Sequence, residues 1–362
     1  MAGTLYLVDL ESVETRYTSQ WKEFLPAQLK NFNIETIVVG GNYISKKTSP
    51  GAFLNFAGTN AYKSNQSVTI STLFAKNQIK EGDYFLFTDA WNPTVIQLKY
   101  MSELLNVPVK IGGLWHAGSY DPQDFLGRII GDKPWVRAAE HSMFNCYNHN
   151  FFATDFHVEM FANCYSDQHA NELMTENDSV KIVGWPMEYL DFVLKDFKKN
   201  FKTKKNKIIF PHRLAPEKQL DIFKDLAKEM PEYEWFVAQE QKLSKYNYYE
   251  NLSDSKIVFS ANLQETLGIS MYEGALLGVF PLVPDRLSYT EMWDDYFKYP
   301  SNWTINWESY QKNKPLLVNK IRNIMNSDIE NRENIIKNLS YFTGKKFFTG
   351  TDLYNIIHDT LK

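Results

Sequence analysis

The densest chemistry in this sequence lies at 264–278, QETLGISMYEGALLG. Glu265 and Glu273 stand eight positions apart, with Gly268 between them at the mouth of an apolar helix carrying Met271, Ala275 and Leu276. Glu265 then falls in the loop after a strand-like run, KIVFSA, and Glu273 about a turn and a half inside the helix. The helix start offers N–H groups at Leu267, Gly268 and Ile269, with Thr266 beside them, a setting that suits a phosphate. A carboxylate accepts two hydrogen bonds from a vicinal diol, so the pair suits hydroxyls on either side of a diphosphate. Two solvent-exposed glutamates would produce the same spacing.

A second cluster lies in IIFPHRLAPEKQLDIF, residues 208–223. Arg213 follows a buried strand, and Lys218 opens the next helix. Two cations at the carboxyl end of a strand are expensive unless an anion partners them. A diphosphate is a natural partner, with Arg forking two oxygens and Lys acting as a point charge. A pair of solvated surface charges is the plainer alternative.

Taken together, strand–HRLAPEK–helix followed about 45 residues later by ETLGISMYEG resembles the nucleotide-sugar site of family 4 retaining glycosyltransferases. The resemblance implies a GT-B fold, that is, an α/β chain with two Rossmann-like doubly wound domains facing a cleft. It implies that Arg213 and Lys218 bind the diphosphate of a UDP- or GDP-type sugar donor. Glu265 then contacts the donor sugar, Glu273 holds the ribose hydroxyls, and Thr266, Leu267 and Gly268 line the donor. His212 stands where the family usually has Gly, and Leu267 where it often has Phe, which bears on donor choice. A His at the end of an N-domain strand often touches the donor sugar in this family, and His116 in GLWHAGSYD occupies such a place. Retention follows from the resemblance. No nucleophile pair is readable, so front-face attack, with the leaving phosphate taking the acceptor proton, is the simpler expectation. The match is specific over about 207–285 and architectural elsewhere.

The elements that must position these groups come in two alternating series. TLYLVDL (4–10), ETIVVGG (35–41), DYFLFTD (83–89) and VPVKIGGLW (107–115) read as buried strands, with helices at 19–31 and 94–105. Pro26 kinks the first helix or ends its first turn. Residues 42–80, rich in Asn, Ser and Thr, read as a loop or an extra hairpin. The second series contains KIIFPHR (207–213), YEWFVAQ (233–239), KIVFSA (256–261) and VFPLVP (279–284), with helices at 217–229 and 268–277. Alternation of this kind means parallel sheets with helices on both faces. The expected division is an acceptor-side domain at 1–190, a connector at 191–206, a nucleotide-sugar domain at 207–340, and a terminal helix at 341–362 packing back on the first domain. VGWPMEYL (183–190) resembles the segment with which the family crosses between domains. The run 195–207 carries seven lysines and reads as a solvated connector, or as a positive rim facing an anionic acceptor.

Acceptor-side candidates follow the N-terminal strands. Asp89 is placed to order an acceptor hydroxyl and Trp91 to stack on a sugar or base, although an N-cap Asp beside a structural Trp explains TDAWNP equally. Trp115 and Tyr120 are further cleft-side aromatics, and Glu11 and Arg16 lie in the loop after the first strand. A phage-type enzyme acting on hydroxymethylated pyrimidines in DNA would use the lysine run for phosphates and these aromatics for an extruded base. Glycan, lipid-linked and small-molecule acceptors are equally compatible. A sugar-nucleotide 2-epimerase and a non-catalytic nucleotide-sugar binding module share the same donor motif.

The composition bounds these readings. A chain of 362 residues suggests two domains, and 44% hydrophobic with 23% charged residues is ordinary for a globular protein. The net charge is −4, and residues 1–186 hold 14 basic and 19 acidic residues, a balance that speaks against a nucleic-acid acceptor. There is no D-x-D metal motif, no zinc spacing and no P-loop, which fits diphosphate binding without a metal or prosthetic group. Two cysteines, no signal peptide and no apolar run of membrane length point to the cytoplasm (the host's, if phage-encoded).

Overall fold

A computed structural model describes residues 3–13, 17–44, 55–164, 178–326 and 329–362. The chain forms two compact units, one of residues 1–186 with 350–362 and one of residues 187–349. Arg16 lies outside the described residues.

The first unit is built on six parallel strands: β1 (Leu5–Val8), β2 (Thr36–Val39), β3 (Tyr84–Phe87), β4 (Lys110–Leu114), β5 (His149–Phe152) and β6 (Val180–Ile182). Their order is β2-β1-β3-β4-β5-β6. β1 and β3 are buried on both faces, so Leu5-Tyr6-Leu7-Val8 and Tyr84-Phe85-Leu86-Phe87 read as continuous apolar runs. The second unit holds β7 (Lys207–Phe210), β8 (Glu234–Val237), β9 (Ile257–Phe259), β10 (Phe280–Pro284) and β11 (Lys298–Tyr299), ordered β11-β10-β9-β7-β8 and also parallel. The order in which the chain adds strands reverses once in each sheet, between β1 and β3 and between β7 and β9. At such a reversal the connections from the two strands leave for opposite faces, and in open α/β sheets ligand crevices form outside the carboxyl ends of the strands there.

The helix Tyr17–Asn31 runs through Pro26 without ending and buries Trp21, Leu25 and Leu29 on one stripe. Residues 56–75, expected as loop or hairpin, are instead a 20-residue helix, Phe56–Ala75, capped by Asn55. Its residues have low intrinsic helix propensity. Ser64, Thr69, Ser71 and Thr72 donate their hydroxyls to carbonyls four residues back, so these side chains are satisfied within the helix. The buried stripe Thr59, Tyr62, Gln66, Ile70 and Phe74 is polar in its first half, which hides the amphipathic pattern.

Two further expectations change. Residues 191–206 lie inside the second unit rather than between units. Their lysines are drawn onto the helix Lys245–Asp254: Lys199 Nζ lies 2.6 Å from Asp254 and 3.0 Å from Glu250, and Lys205 Nζ 3.0 Å from Asp254. At the C-terminus, the helix Ile329–Phe347 belongs to the second unit, and only Thr351–Leu361 returns to the first. There Tyr354 accepts from Gln28 at 2.8 Å and packs its ring at a tilt against Phe32, and the Leu361 carbonyl accepts from the Gly3 N–H at 3.0 Å. No helix among the described residues is long and apolar enough to cross a membrane.

Candidate functional site

The reversal between β7 and β9 brings together residues about 50 positions apart. Arg213, in the loop after β7, pairs with the buried carboxylate of Glu217 at 2.5 Å and keeps a quarter of its side chain exposed. Lys218 closes a short turn, Pro216–Lys218, rather than opening the long helix, which begins at Leu220 after Gln219 in left-handed conformation. From that turn the Lys218 ammonium reaches across to the β9 loop. It donates to the Gln264 carbonyl at 2.5 Å and lies 3.7 Å from Glu265 Oε2.

That loop is held rigidly. Arg286 donates to the carbonyls of Ala261, Asn262 and Ser301 at 2.7–2.8 Å, and Gln219 to those of Ala261 and Thr304 at 2.5 and 2.6 Å. Asn262 sits at its centre, 3.3 Å from Glu265 Oε2 and 3.3 Å from the Tyr289 hydroxyl. His212 fills the space beside it, its Nδ1 3.4 Å from Asn262 Nδ2. Burial, with the charge of Lys218 adding to it, holds this imidazole well below its usual range, so the ring is neutral.

Glu265 accepts the Thr266 N–H at 3.2 Å, and Thr266 and Leu267 are buried behind it. Gly268 caps the helix Ile269–Leu276 with φ +69°, where a Cβ would lie 2.7 Å from the Tyr289 ring. The N–H groups of Leu267, Gly268 and Ile269 precede the first bond of that helix, Met271 N–H to the Gly268 carbonyl at 3.0 Å.

Glu273 is more enclosed than its spacing predicts. Its side chain is 3% exposed; Oε1 accepts from Lys245 at 2.9 Å and Tyr249 at 3.1 Å, and Oε2 from Tyr248 at 3.0 Å. These three partners escape the sequence reading. Their only signal is the KYNYYE cluster at the start of Lys245–Asp254, where positions 245, 248 and 249 share one helix face.

At the crevice of the first unit, both His116 ring nitrogens are engaged. Nε2 donates to the Thr88 carbonyl at 2.6 Å, which leaves Nδ1 to accept the Tyr17 hydroxyl at 2.8 Å. Trp185, Trp21 and Tyr17 surround the ring. Asp89 pairs with Lys63 at 2.7 Å and accepts the Trp91 N–H at 3.1 Å, forming a local turn. Trp91 is half-buried and donates Nε1–H to buried Glu140 at 2.8 Å. Glu11 is buried and accepts from Thr59 at 2.5 Å. Lys63 and Thr59, together with Tyr62 and Gln66 on Asp9, all come from the helix Phe56–Ala75.

Trp115 and Tyr120 are not cleft-side aromatics. Trp115 packs wholly inside the core against Phe152 and Phe161 and donates to Asn150 at 2.8 Å. The Tyr120 hydroxyl is spent on the His116 carbonyl and on His157 Nε2. Their rings are part of what supports the carboxyl end of β4, since both pack in the core cluster beneath it.

No protein-family model matches the sequence, and no curated protein does. Solved structures share its fold. The catalytic domain of starch synthase IV from Arabidopsis thaliana, bound to ADP and acarbose, aligns over 99% of both chains with 10% identity and a TM-score of 0.61. A glycosyltransferase from Rickettsia africae ESF-5 aligns over 100% of this chain and 99% of its own, with 14% identity and a TM-score of 0.60. The pneumococcal O-GlcNAc transferase GtfA, in complex with UDP and GlcNAc, aligns over 83% of this chain with 12% identity and a TM-score of 0.54, and this chain spans 60% of its length. Two parallel α/β sheets of six and five strands place the chain in the GT-B fold of these enzymes.

Proposed function

We propose that this chain is a glycosyltransferase that moves a sugar, with retention, from a nucleoside diphosphate sugar to an acceptor hydroxyl. The observation that carries the reading is the approach of Lys218, in the loop after β7, to Gln264 and Glu265 in the loop after β9, with Arg213 in the same loop as Lys218 and the helix start at Gly268 three residues beyond Glu265. The GT-B neighbours crystallised with UDP or ADP support the donor class. In this reading Arg213 and Lys218 take the charge of the leaving diphosphate, with the N–H groups from Leu267 to Ile269. Glu265, already oriented by Asn262 and the Thr266 N–H, accepts hydroxyls of the transferred sugar. Glu273 meets the ribose by exchanging one of its present donors for a hydroxyl. The first unit binds the acceptor, with Glu11, Asp89 and Trp91 as its candidate contacts at the carboxyl edge of the sheet.

A hydroxymethylated-DNA acceptor loses most of the features that pointed to it. Lys199, Lys204, Lys205 and Lys207 are bound to partners within the second unit, and Trp115 and Tyr120 are core residues. Glycan, lipid-linked and small-molecule hydroxyls stay open as acceptors, because Asp89 is already paired with Lys63 and Glu11 is buried against Thr59, so neither residue selects among them by charge.

The test is thermal stabilisation by UDP, ADP, GDP and their sugars, followed by release of free nucleotide from the sugar that binds. One nucleotide family is expected to raise the melting temperature, and Arg213→Ala or Lys218→Ala to lower turnover by about 100-fold or more. No shift with any member, or full turnover in either variant, refutes the assignment.

A further inference from the structure

We propose that Lys204 is a positioning residue for the donor site, clamping together the two helices that carry Glu273 and its partners; this rests on the donor reading above. Lys204 lies in the lysine run, yet its side chain is only 6% exposed. Its ammonium donates to the Ser253 carbonyl at 2.5 Å and to the Leu277 carbonyl at 2.9 Å. Ser253 is in the last turn of Lys245–Asp254, and Leu277 caps Ile269–Leu276. One cation thus serves the carboxyl ends of two helices, where the backbone dipoles leave partial negative charge and unpaired carbonyls.

The same two helices are joined a second time, upstream. Lys245 and Tyr249 on the first donate to Glu273 on the second at 2.9 and 3.1 Å. Tyr249 stands one helical turn before Ser253, and Glu273 one turn before Leu277. The pair is therefore bridged at two levels about one turn apart, and the relative slide of the helices is fixed only while both bridges hold. Without the Lys204 bridge, Glu273 keeps its donors but loses the register that presents the carboxylate to a ribose. The run around Lys204 reinforces it: Lys199 and Lys205 hold Asp254 at the end of the same helix.

The charged groups facing Lys204 are Asp254 and Glu333, which favour its protonated form, and Lys199, which opposes it. Burial outweighs them and pulls the ammonium down to about 7. The clamp therefore loses its charge in the mildly alkaline range.

The experiment measures calorimetric affinity for whichever of UDP, ADP and GDP binds the intact protein, and nucleotide-sugar turnover, from pH 6 to 9. Lys204→Met is expected to weaken nucleotide binding about tenfold at pH 6.5, with the loss falling on the donor KM more than on kcat. The wild-type affinity should decline through the titration of Lys204, and the variant should lack that step. Nucleotide binding by the wild type with an unchanged Kd in Lys204→Met, even at a lowered melting temperature, overturns the clamp and leaves the donor reading intact. Absence of nucleotide binding by the wild type overturns both. Should Lys204→Met fail to fold, Asp254→Asn removes a charge that supports the ammonium and is expected to move the wild-type step to lower pH; an unmoved step overturns the proposal.

Discussion

Gly268→Ala tests whether the proposed donor site depends on one backbone conformation. Gly268 has φ +69°, and a non-glycine residue held there loses about 1–2 kcal/mol. The added Cβ would also stand 2.7 Å from Tyr289 Cε1. Tyr289 is fully buried, and its hydroxyl is tied to Ser260 at 3.1 Å and Asn262 at 3.3 Å, so the ring has no free direction in which to retreat. Overpacking of this kind adds about 1–3 kcal/mol, for a total near 3 kcal/mol. Movement of Tyr289 disturbs Asn262 and through it Glu265, so nucleotide-sugar affinity should fall as well. Gly82→Ala is the control. Gly82 has φ +86° with nothing within 4 Å of its Cβ position, so it reports the dihedral strain alone, far from the proposed donor residues in sequence and in the other unit. Urea unfolding of both variants and calorimetry with the bound nucleotide would separate the effects. Equal destabilisation of the two variants would refute the Tyr289 clash. A destabilised Gly268→Ala with undiminished affinity would refute the link from Tyr289 to the donor.

Two further outcomes are expected. Gln66 donates to the carbonyls of Asp9 and Val39 at 2.7 and 2.9 Å and accepts from Asn92 at 3.1 Å, all in the core. Gln66→Leu strands these groups and should destabilise the protein by about 3 kcal/mol in urea titrations, whereas a change below about 0.5 kcal/mol would show that the helix Phe56–Ala75 does not dock as described. His157 is fully buried and donates Nε2–H to the Tyr120 hydroxyl at 2.7 Å, since that hydroxyl gives its own proton to the His116 carbonyl, and burial holds the imidazole near 3 against an ordinary 6.5. Above pH 6.5 it is neutral in both states and its contribution is complete; as pH falls from 6.5 toward 3 only the unfolded chain takes the proton, and about 5 kcal/mol is lost over that window. The stability of His157→Gln should depend less steeply on pH there; an unchanged slope would show that another group governs the acid transition.

Much of the framework is local and therefore legible. β1, β3, β7 and β9 are short apolar runs bounded by polar loops, because a strand covered on both faces needs no alternation. Arg213, Lys218, Glu265 and Gly268 are recognisable because they follow such runs at spacings that imply strand, loop and helix. The identity of their neighbours is another matter. Only the pairing of β7 with β9 puts Lys218 against Gln264, and only the docking of Lys245–Asp254 surrounds Glu273 with a lysine and two tyrosines.

The misreadings share a physical cause. The helix Phe56–Ala75 buries a stripe that is half polar, because it must answer Asp9 and Glu11 at the carboxyl end of β1 as well as the core below, and periodicity of apolar residues cannot report that. The lysines of 195–207 look solvated because a lysine is usually exposed, yet Lys204 is buried by carbonyls from helices 49 and 73 residues away. Trp115 and Tyr120 follow a strand end, as site residues do, but the turn of the chain points both rings into the core. Residue type and spacing determine which elements form and which loops carry charge. Which face is covered, and by what, is decided by partners distant in sequence, since burial is a property of the assembled layers rather than of any segment.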